Sequence, residues 1–432
     1  MKNNSFTKIT IILWALGAPL HALANSVITE NEAVASAISD NPNLASMQYR
    51  SEAMSHIPSQ AGSLPDPVLS LNAMNLPSDS FSTTQENMTQ MQLGLAQSIP
   101  FPGKLGLREQ AAHYESDAAR FDTDEARLII VRDVRNTWWN IFYLDRTISV
   151  VRRNQALLRQ FVKIAETKYK TGQGLQSDVL LAQVELSKLL DIEIVLKASR
   201  QNHASRLNAF LNRPADAPVE LPEQVNEQLP PAPDLETLRT QALNFRPLLA
   251  SQRSKKMAAD SRIELAEKDY YPDFTLAGGY GYRRGINPVN GRTRPDLASI
   301  SLSMTLPLYS GSKQSQAVAQ RRAEAAKEQF ELTDQINRVD AEISSALSDY
   351  QARHDQASLF KTGIIPQASQ SVASMLASYQ VNKVDFLNLV RAQITLYNYE
   401  TQYWKAVRSG WQAWARLEAA TGKNLTRETS HE

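Results

Sequence analysis

The stretch Met88 to Gly106, MTQMQLGLAQSIPFPGKLG, decides how the rest of the chain is read. Met91, Leu93, Leu95 and Ile99 put apolar side chains on one face, broken only by Gln97, while Gln90, Gln92 and Ser98 point the other way. A period of two is that of a β-strand with one apolar and one wet face. Pro100 and Pro102 end the ladder because neither has a backbone N–H to donate, and Gly103 lets the chain re-aim. From Lys104 a charged amphipathic segment begins, with no proline before Pro214 and no glycine from Leu107 to Thr171. A strand therefore runs directly into a very long helix, and the same joint occurs a second time.

The recurrence is part of a duplication. Asn41-Pro42-Asn43-Leu44-Ala45-Ser46 returns as Arg246-Pro247-Leu248-Leu249-Ala250-Ser251, Pro65-Asp66 as Pro272-Asp273, and Ile99-Pro100 as Leu306-Pro307. Tyr169 with Ala182-Gln183 returns as Tyr379 with Ala392-Gln393, and Arg206-Leu207 with Ala209 as Arg416-Leu417 with Ala419. The order is kept at a spacing of about 205 to 210 residues, so the chain holds two tandem units of helix, strand, strand, long helix and helix. The first unit covers residues 25–213, with strands at 68–76 and 88–99 and a long helix at 103–169. The second covers 236–423, with strands at 273–283 and 297–306 and a long helix at 311–379. A connector at 214–235 carries Pro214, Pro218, Pro222, Pro230, Pro231 and Pro233, and a polar tail at 424–432 is expected to be disordered.

Composition narrows the setting. The 432 residues include 46 Lys and Arg against 45 Asp and Glu, a balance that gives no global field to attract nucleic acid. Residues 1–24 read as an export signal: Lys2 and Lys8 precede the apolar run Ile9 to Leu20, and Ala22-Leu23-Ala24 offers a cleavage site before Asn25. That apolar run is too short for the ~20 residues a membrane-spanning helix needs. The chain has no cysteine, hence no disulfide and no lipidated N-terminal Cys.

The strands carry the membrane argument. Ala298, Ile300, Leu302, Met304 and Leu306 alternate without a break with Ser299, Ser301, Ser303 and Thr305. A soluble sheet over a core would show the same period, but the wet face here is small and hydroxylic, as a water-filled lumen tolerates. The strand lengths suit the ~9 to 11 residues of a tilted bilayer crossing. Phe101, Tyr270, Tyr271 and Tyr309 lie at strand ends, where an interfacial aromatic girdle would sit. Four strands cannot close a barrel, and an open edge cannot rest in lipid, so several copies must share one.

The helices set the other dimension. Val134, Trp138, Ile141, Leu144, Ile148, Val151, Leu158, Val162, Ala165 and Tyr169 fall at spacings of three and four, the pattern of coiled-coil packing. At ~1.5 Å per residue each long helix spans on the order of 100 Å. Pro366, close after Gly363, is expected to kink the second and not the first. Each long helix reverses at a tip, Tyr169-Lys170-Thr171-Gly172-Gln173-Gly174 and Tyr379-Gln380-Val381-Asn382-Lys383. Gly172 and Asn382 occupy equivalent places and tolerate a left-handed conformation.

Catalytic, cofactor and metal sites are not expected. His56, His113, His203, His354 and His431 show no ligand spacing, and no phosphate-binding glycine loop or metalloprotease motif occurs. Function is expected at the tips instead. Asp178 on one hairpin, with Asn388 and Arg391 on the other, is placed to form a gate or constriction if copies surround an axis.

These residues together resemble a TolC-type outer membrane efflux protein across the whole exported chain. The resemblance rests on the tandem units, on the joints Gln97-Ser98-Ile99-Pro100-Phe101-Pro102-Gly103-Lys104 and Thr305-Leu306-Pro307-Leu308-Tyr309-Ser310-Gly311, and on the two tips. It implies a mainly α protein with a membrane β-barrel, a homotrimer whose three sets of four strands close a 12-stranded barrel continued by an α-helical tunnel. It also implies a passive exit duct without enzymatic activity, set in outer-membrane lipid and extending into the periplasm. Its partners would be a periplasmic adaptor, meeting Thr171, Gly172, Gln173, Gly174, Val381, Asn382 and Lys383, and an inner-membrane pump driven by protons. Asn75-Leu76-Pro77-Ser78-Asp79-Ser80-Phe81, followed by the proline joint, is most similar to the heavy-metal cation efflux branch. Drug efflux and type I secretion are the alternative cargoes, and a periplasmic coiled-coil adaptor is the alternative class. The chain departs from some members in lacking the acidic pair of the second tip, where Asn388 and Arg391 stand.

Overall fold

A computed structural model describes residues 27–425. The expected export signal and most of the expected tail lie outside these residues. The first unit opens with α1 (Glu30–Asp40), α2 (Pro42–Ser55) and α3 (Ile57–Gly62), followed by β1 (Val68–Met74), β2 (Gln90–Ile99), α4 (Lys104–Lys170) and α5 (Gln176–Phe210). The second opens with α6 (Leu235–Phe245) and α7 (Pro247–Lys268), followed by β3 (Phe274–Tyr282), β4 (Leu297–Met304) and α8 (Gln314–Leu359). It closes with α9 (Ile365–Gln380) and α10 (Phe386–Thr421). The caps are written in the sequence: Thr29 and Glu32 form a reciprocal capping box on α1, and Asn41 caps α2 beside Pro42.

The strands form one antiparallel sheet in the order β1-β2-β3-β4. Register sorts its side chains. Leu69 faces Leu95 and Leu71 faces Leu93; Met91 pairs with Tyr282, Leu93 with Tyr280, and Leu276 with Leu302. Directly opposed residues share a face, so these apolar side chains cover one side. Ser70, Gln92, Thr275, Ala277, Gly279, Ser299, Ser301 and Ser303 take the other. The apolar side is the bare one, with Leu71 79% and Ile300 86% exposed. Along β2 the polar-face residues are the more covered. A soluble sheet buries its apolar face; this sheet is inverted. β1 and β4 end the order, and their outer backbone groups have no strand partner among the described residues.

Two apolar cores run along the helices. One surrounds Trp138, Trp139, Phe142, Tyr350 and Trp414 and takes in Leu207, Leu229 and Leu249. The other, nearer the tips, joins Val151, Leu158, Phe161 and Leu189 to Tyr379, Phe386 and Leu389. No helix of the described residues is long and apolar enough to cross a membrane.

The structure differs from the sequence expectations at four points. The strands are shorter at their ends than 68–76, 88–99, 273–283 and 297–306. The second long helix is interrupted by a π-helical turn at Phe360–Ile364, in which the Ile365 N–H bonds to the Phe360 carbonyl. Pro366 has no N–H to continue the i→i−4 ladder, and the wider turn absorbs that break. Tyr169 is 49% exposed although its counterpart Tyr379 is 5% exposed, so the repeat does not place these two rings alike. Leu425, expected within the tail, is buried, and its N–H bonds to the Glu418 carboxylate at 3.0 Å.

Candidate functional site: the strand-to-helix joint and the helical tip

At the first joint Pro100 ends β2, and Gly103 takes a left-handed φ of 91° that a side chain would resist. The turn closes with the Lys104 N–H on the Phe101 carbonyl at 3.1 Å. Lys104 is 3% exposed, and its ammonium lies 2.9 Å from Asp269 Oδ1 and 3.0 Å from Asp273 Oδ1. Asp273 Oδ1 also accepts the Phe101 N–H at 2.7 Å, while the Phe101 ring stacks on Tyr271 at 4.5 Å. Burial alone would push the Lys104 pKa down, but its hydrogen bonds to Asp269 and Asp273 outweigh that and raise it. The first unit's joint is thereby fastened to the α7–β3 turn of the second. Pro102 is exposed beside it. Pro307 and Gly311 occupy a looser second joint, where the chain turns through Tyr309 to Lys313 before α8. Gly311, the counterpart of Gly103, has no left-handed φ.

At the far end the two tips share one backbone design. Gly172 has φ 71° and Asn382 φ 61°. The Gln173 N–H returns to the Lys168 carbonyl at 2.8 Å, and the Lys383 N–H to the Ser378 carbonyl at 2.9 Å. Both are helix ends closed by one left-handed residue. Thr171, Gly172, Gln173, Val381, Asn382 and Lys383 are exposed and Gly174 half-buried.

Side chains cross between the tips. Lys168 Nζ donates to the Tyr379 carbonyl at 2.7 Å and to Asn382 Oδ1, and sits 4.6 Å from the Tyr379 ring centroid. Asp178 lies near the Tyr379 hydroxyl, Lys168 and Asp385. Burial pushes the Asp178 pKa up, the Leu175 N–H opposes this, and the Asp385 charge adds to the rise. The Tyr379 hydroxyl makes no well-directed hydrogen bond; its burial and the neighbouring Asp178 carboxylate push its pKa up to about 12. Asn388 and Arg391 are both exposed, and neither makes a side-chain hydrogen bond or ion pair with Asp178. The structure therefore groups Asp178 with Lys168, Tyr379 and Asp385. The sequence reading placed Tyr379 at the second tip but missed Lys168 and Asp385; the place of Tyr379 opposite Asp178 was the signal that could have found them.

Charge is also buried at the waist. The Arg246 guanidinium bonds to both Glu125 carboxylate oxygens, at 2.7 Å for the shortest, and donates to the Ala419 carbonyl at 2.6 Å. This network links α4 and α10 to the junction between α6 and α7. Among the described residues no group of three or more His, Cys, Asp or Glu could hold a metal ion.

An inverted sheet with open edges, continued by helices on the order of 100 Å long, is the architecture of an outer-membrane channel component. The chain belongs to the outer membrane efflux protein family, whose model matches residues 33–213 and 238–423, the two units in turn. Nodulation protein T of Rhizobium leguminosarum bv. trifolii is 22% identical over 340 residues, covering 78% of this chain and 71% of that one. The cobalt-zinc-cadmium resistance protein CzcC of Cupriavidus metallidurans is 20% identical over 365 residues, covering 84% of this chain and 82% of that one. Among solved structures, the outer membrane protein VceC of Vibrio cholerae superposes with a TM-score of 0.77 at 19% identity, covering 92% of this chain and 96% of that one. At that identity the likeness concerns the fold.

Proposed function

We propose that the chain is the outer-membrane exit duct of a tripartite efflux system, working as a homotrimer whose shared 12-stranded barrel continues into a helical tunnel. The observation that carries this reading is the inverted sheet: Leu71, Leu93, Ile300 and Leu302 are bare while along β2 and β3 the opposite face is the more covered. Lipid satisfies the first face, water in a lumen the second, and copies the two open edges. Asp178 stands at the gate, and the exposed turns at Gly172 and Asn382 are the adaptor contact. An inner-membrane pump supplies the energy, so the duct itself performs no chemistry.

The cargo in this reading is heavy-metal cations. The Asn75 to Phe81 segment and the likeness to a relative named for cobalt, zinc and cadmium resistance support it. Deletion of the gene should sensitise the cell to those metals more than to drugs. Sensitivity to drugs alone would replace the metal by an organic cargo. An SDS-resistant trimer in outer-membrane fractions tests the duct itself; recovery as a soluble or inner-membrane protein would favour the adaptor class.

A further inference from the structure

Four helices, α5, α4, α10 and α8, build the wall, and the connector covers one of its faces. The Tyr350 hydroxyl bonds to the Pro230 carbonyl, and Trp138 Nε1 donates at 2.9 Å to the carbonyl of Ile28, whose N–H is held on the connector by the Glu220 carbonyl at 2.8 Å. Gly410 makes room for Leu229, whose Cδ1 would lie 2.5 Å from an added Cβ. About half a helical turn round from Trp138 and Gly410 stand Asn136 and Gln412, where a cleft of about 430 Å³ opens. All four helices line it, so it lies on the wall face turned away from the connector.

Arginine dominates that cleft: Arg206 from α5, Arg353 from α8 and Arg416 from α10. Two carboxylates share it, and both are engaged. Asp349 accepts from Arg416 at 2.8 Å, and Asp133 accepts from the adjacent Arg132 at 2.9 Å. Arg206 and Arg353 have no carboxylate within ion-pair distance among the described residues. Arg206 lies 5.8 Å from the Phe210 ring, and Arg353 donates to Gln356 at 2.6 Å. A guanidinium offers a planar fork of donors that fits carboxylate and phosphate oxygens, so two guanidinium groups without a carboxylate partner over one polar cleft form an acceptor-seeking site.

We propose that this cleft is an anion-binding site on the passage face of the wall, taking the carboxylate or phosphate group of a transported solute. Its place on the passage rests on the duct reading; its chemistry does not depend on the cargo class. Neither Arg206 nor Arg353 is fully buried, so the bound group stays hydrated in part and leaves again, as conduction requires.

Citrate and inorganic pyrophosphate, titrated calorimetrically into the purified full-length chain, test the site. Both should bind, and the stronger of the two names the preferred acid. Arg206→Gln with Arg353→Gln should weaken binding by about tenfold or more, the loss of charge-assisted bonds. Arg50→Gln with Arg120→Gln removes the same charge from exposed positions elsewhere and should leave binding unchanged. If the double cleft variant does not assemble, the single Arg206→Gln should still lower affinity. Absence of binding to the unmodified chain, or equal losses in the cleft and control variants, overturns the proposal. Conductance measured on the same preparation separates the two readings. Binding without current keeps the site and removes the duct; current without binding does the reverse.

Discussion

Lys168 Nζ, at the end of α4, donates to the carbonyl of Tyr379, at the end of α9, at 2.7 Å, joining the tips of the two repeats. The same ammonium lies 4.6 Å from the Tyr379 ring and bonds to Asn382. A single buried cation thus holds the second tip against the first. Lys168→Met keeps the aliphatic stem and removes these bonds, so the tip should loosen by about 1 to 3 kcal/mol. Reconstituted channels should then open more often or conduct more; a single-channel record identical to that of the unmodified protein would remove Lys168 as a tip fastener.

Acid should tighten the same region. The folded pKa of Asp178 is raised above 3.8, chiefly by burial and also by Asp385. A carboxyl with a raised folded pKa binds protons more readily folded than unfolded, so its ionisation opposes the folded tip. Stability therefore grows as pH falls from above the raised pKa towards 3.8, and falls again on alkalinisation through the same window. Asp178→Asn should abolish that pH dependence and change cation preference at neutral pH. Conductance and ion selectivity across a pH series measure both, and an unaltered profile in the variant would refute the gate assignment.

The sheet assignment separates neighbouring residues. Leu302 is on the bare face and Ser301 on the opposite one. An arginine facing lipid near mid-bilayer costs about 2 to 4 kcal/mol, whereas a lumen-facing one is tolerated. Leu302→Arg should depress outer-membrane assembly and unfold at lower urea in liposomes, with Ser301→Arg close to the unmodified protein. Equal damage at both positions would argue for a soluble sheet.

Gly103 provides a local test of the joint. At φ 91° an added side chain costs about 1 to 2 kcal/mol through backbone strain alone, since the nearest atom to a new Cβ is Lys268 Cε at 3.7 Å. Gly103→Ala should lower the melting temperature of the assembled protein. Gly311→Ala, at a position without positive φ and with open space, should not.

Tip recognition can be probed at Gly172, where no atom lies within 4 Å of an added Cβ and strain arises only from φ 71°. Gly172→Val and Asn382→Val should impair efflux in cells, because valine is strongly disfavoured in the left-handed region. Full efflux by both variants would count against these turns as the docking surface.

The sheet, the duplication and the length of the first helix were legible because each is periodic: two residues for Ala298 to Leu306, three and four for Val134 to Ala165. The cross-repeat fasteners were not. Lys104 with Asp269 and Asp273, Arg246 with Glu125, and Lys168 with Tyr379 join residues far apart in sequence, and each charge alone reads as solvated. Pro366 marked where α8 would be interrupted, but the π turn is one of several ways to absorb a missing N–H. Tyr169 and Tyr379 show the limit of reasoning from a repeat. Lys168 and Asp178 both lie in the first unit, and they gather around the second unit's tyrosine.

The bare outer edges of β1 and β4 carry a genetic consequence. In the proposed trimer each sheet is completed by its neighbours and shares its fate with them, so a copy with a broken edge strand would spoil the sound copies beside it. Such an allele should be dominant when expressed together with the intact gene, whereas one that prevents folding altogether should be recessive, because its product never reaches the ring.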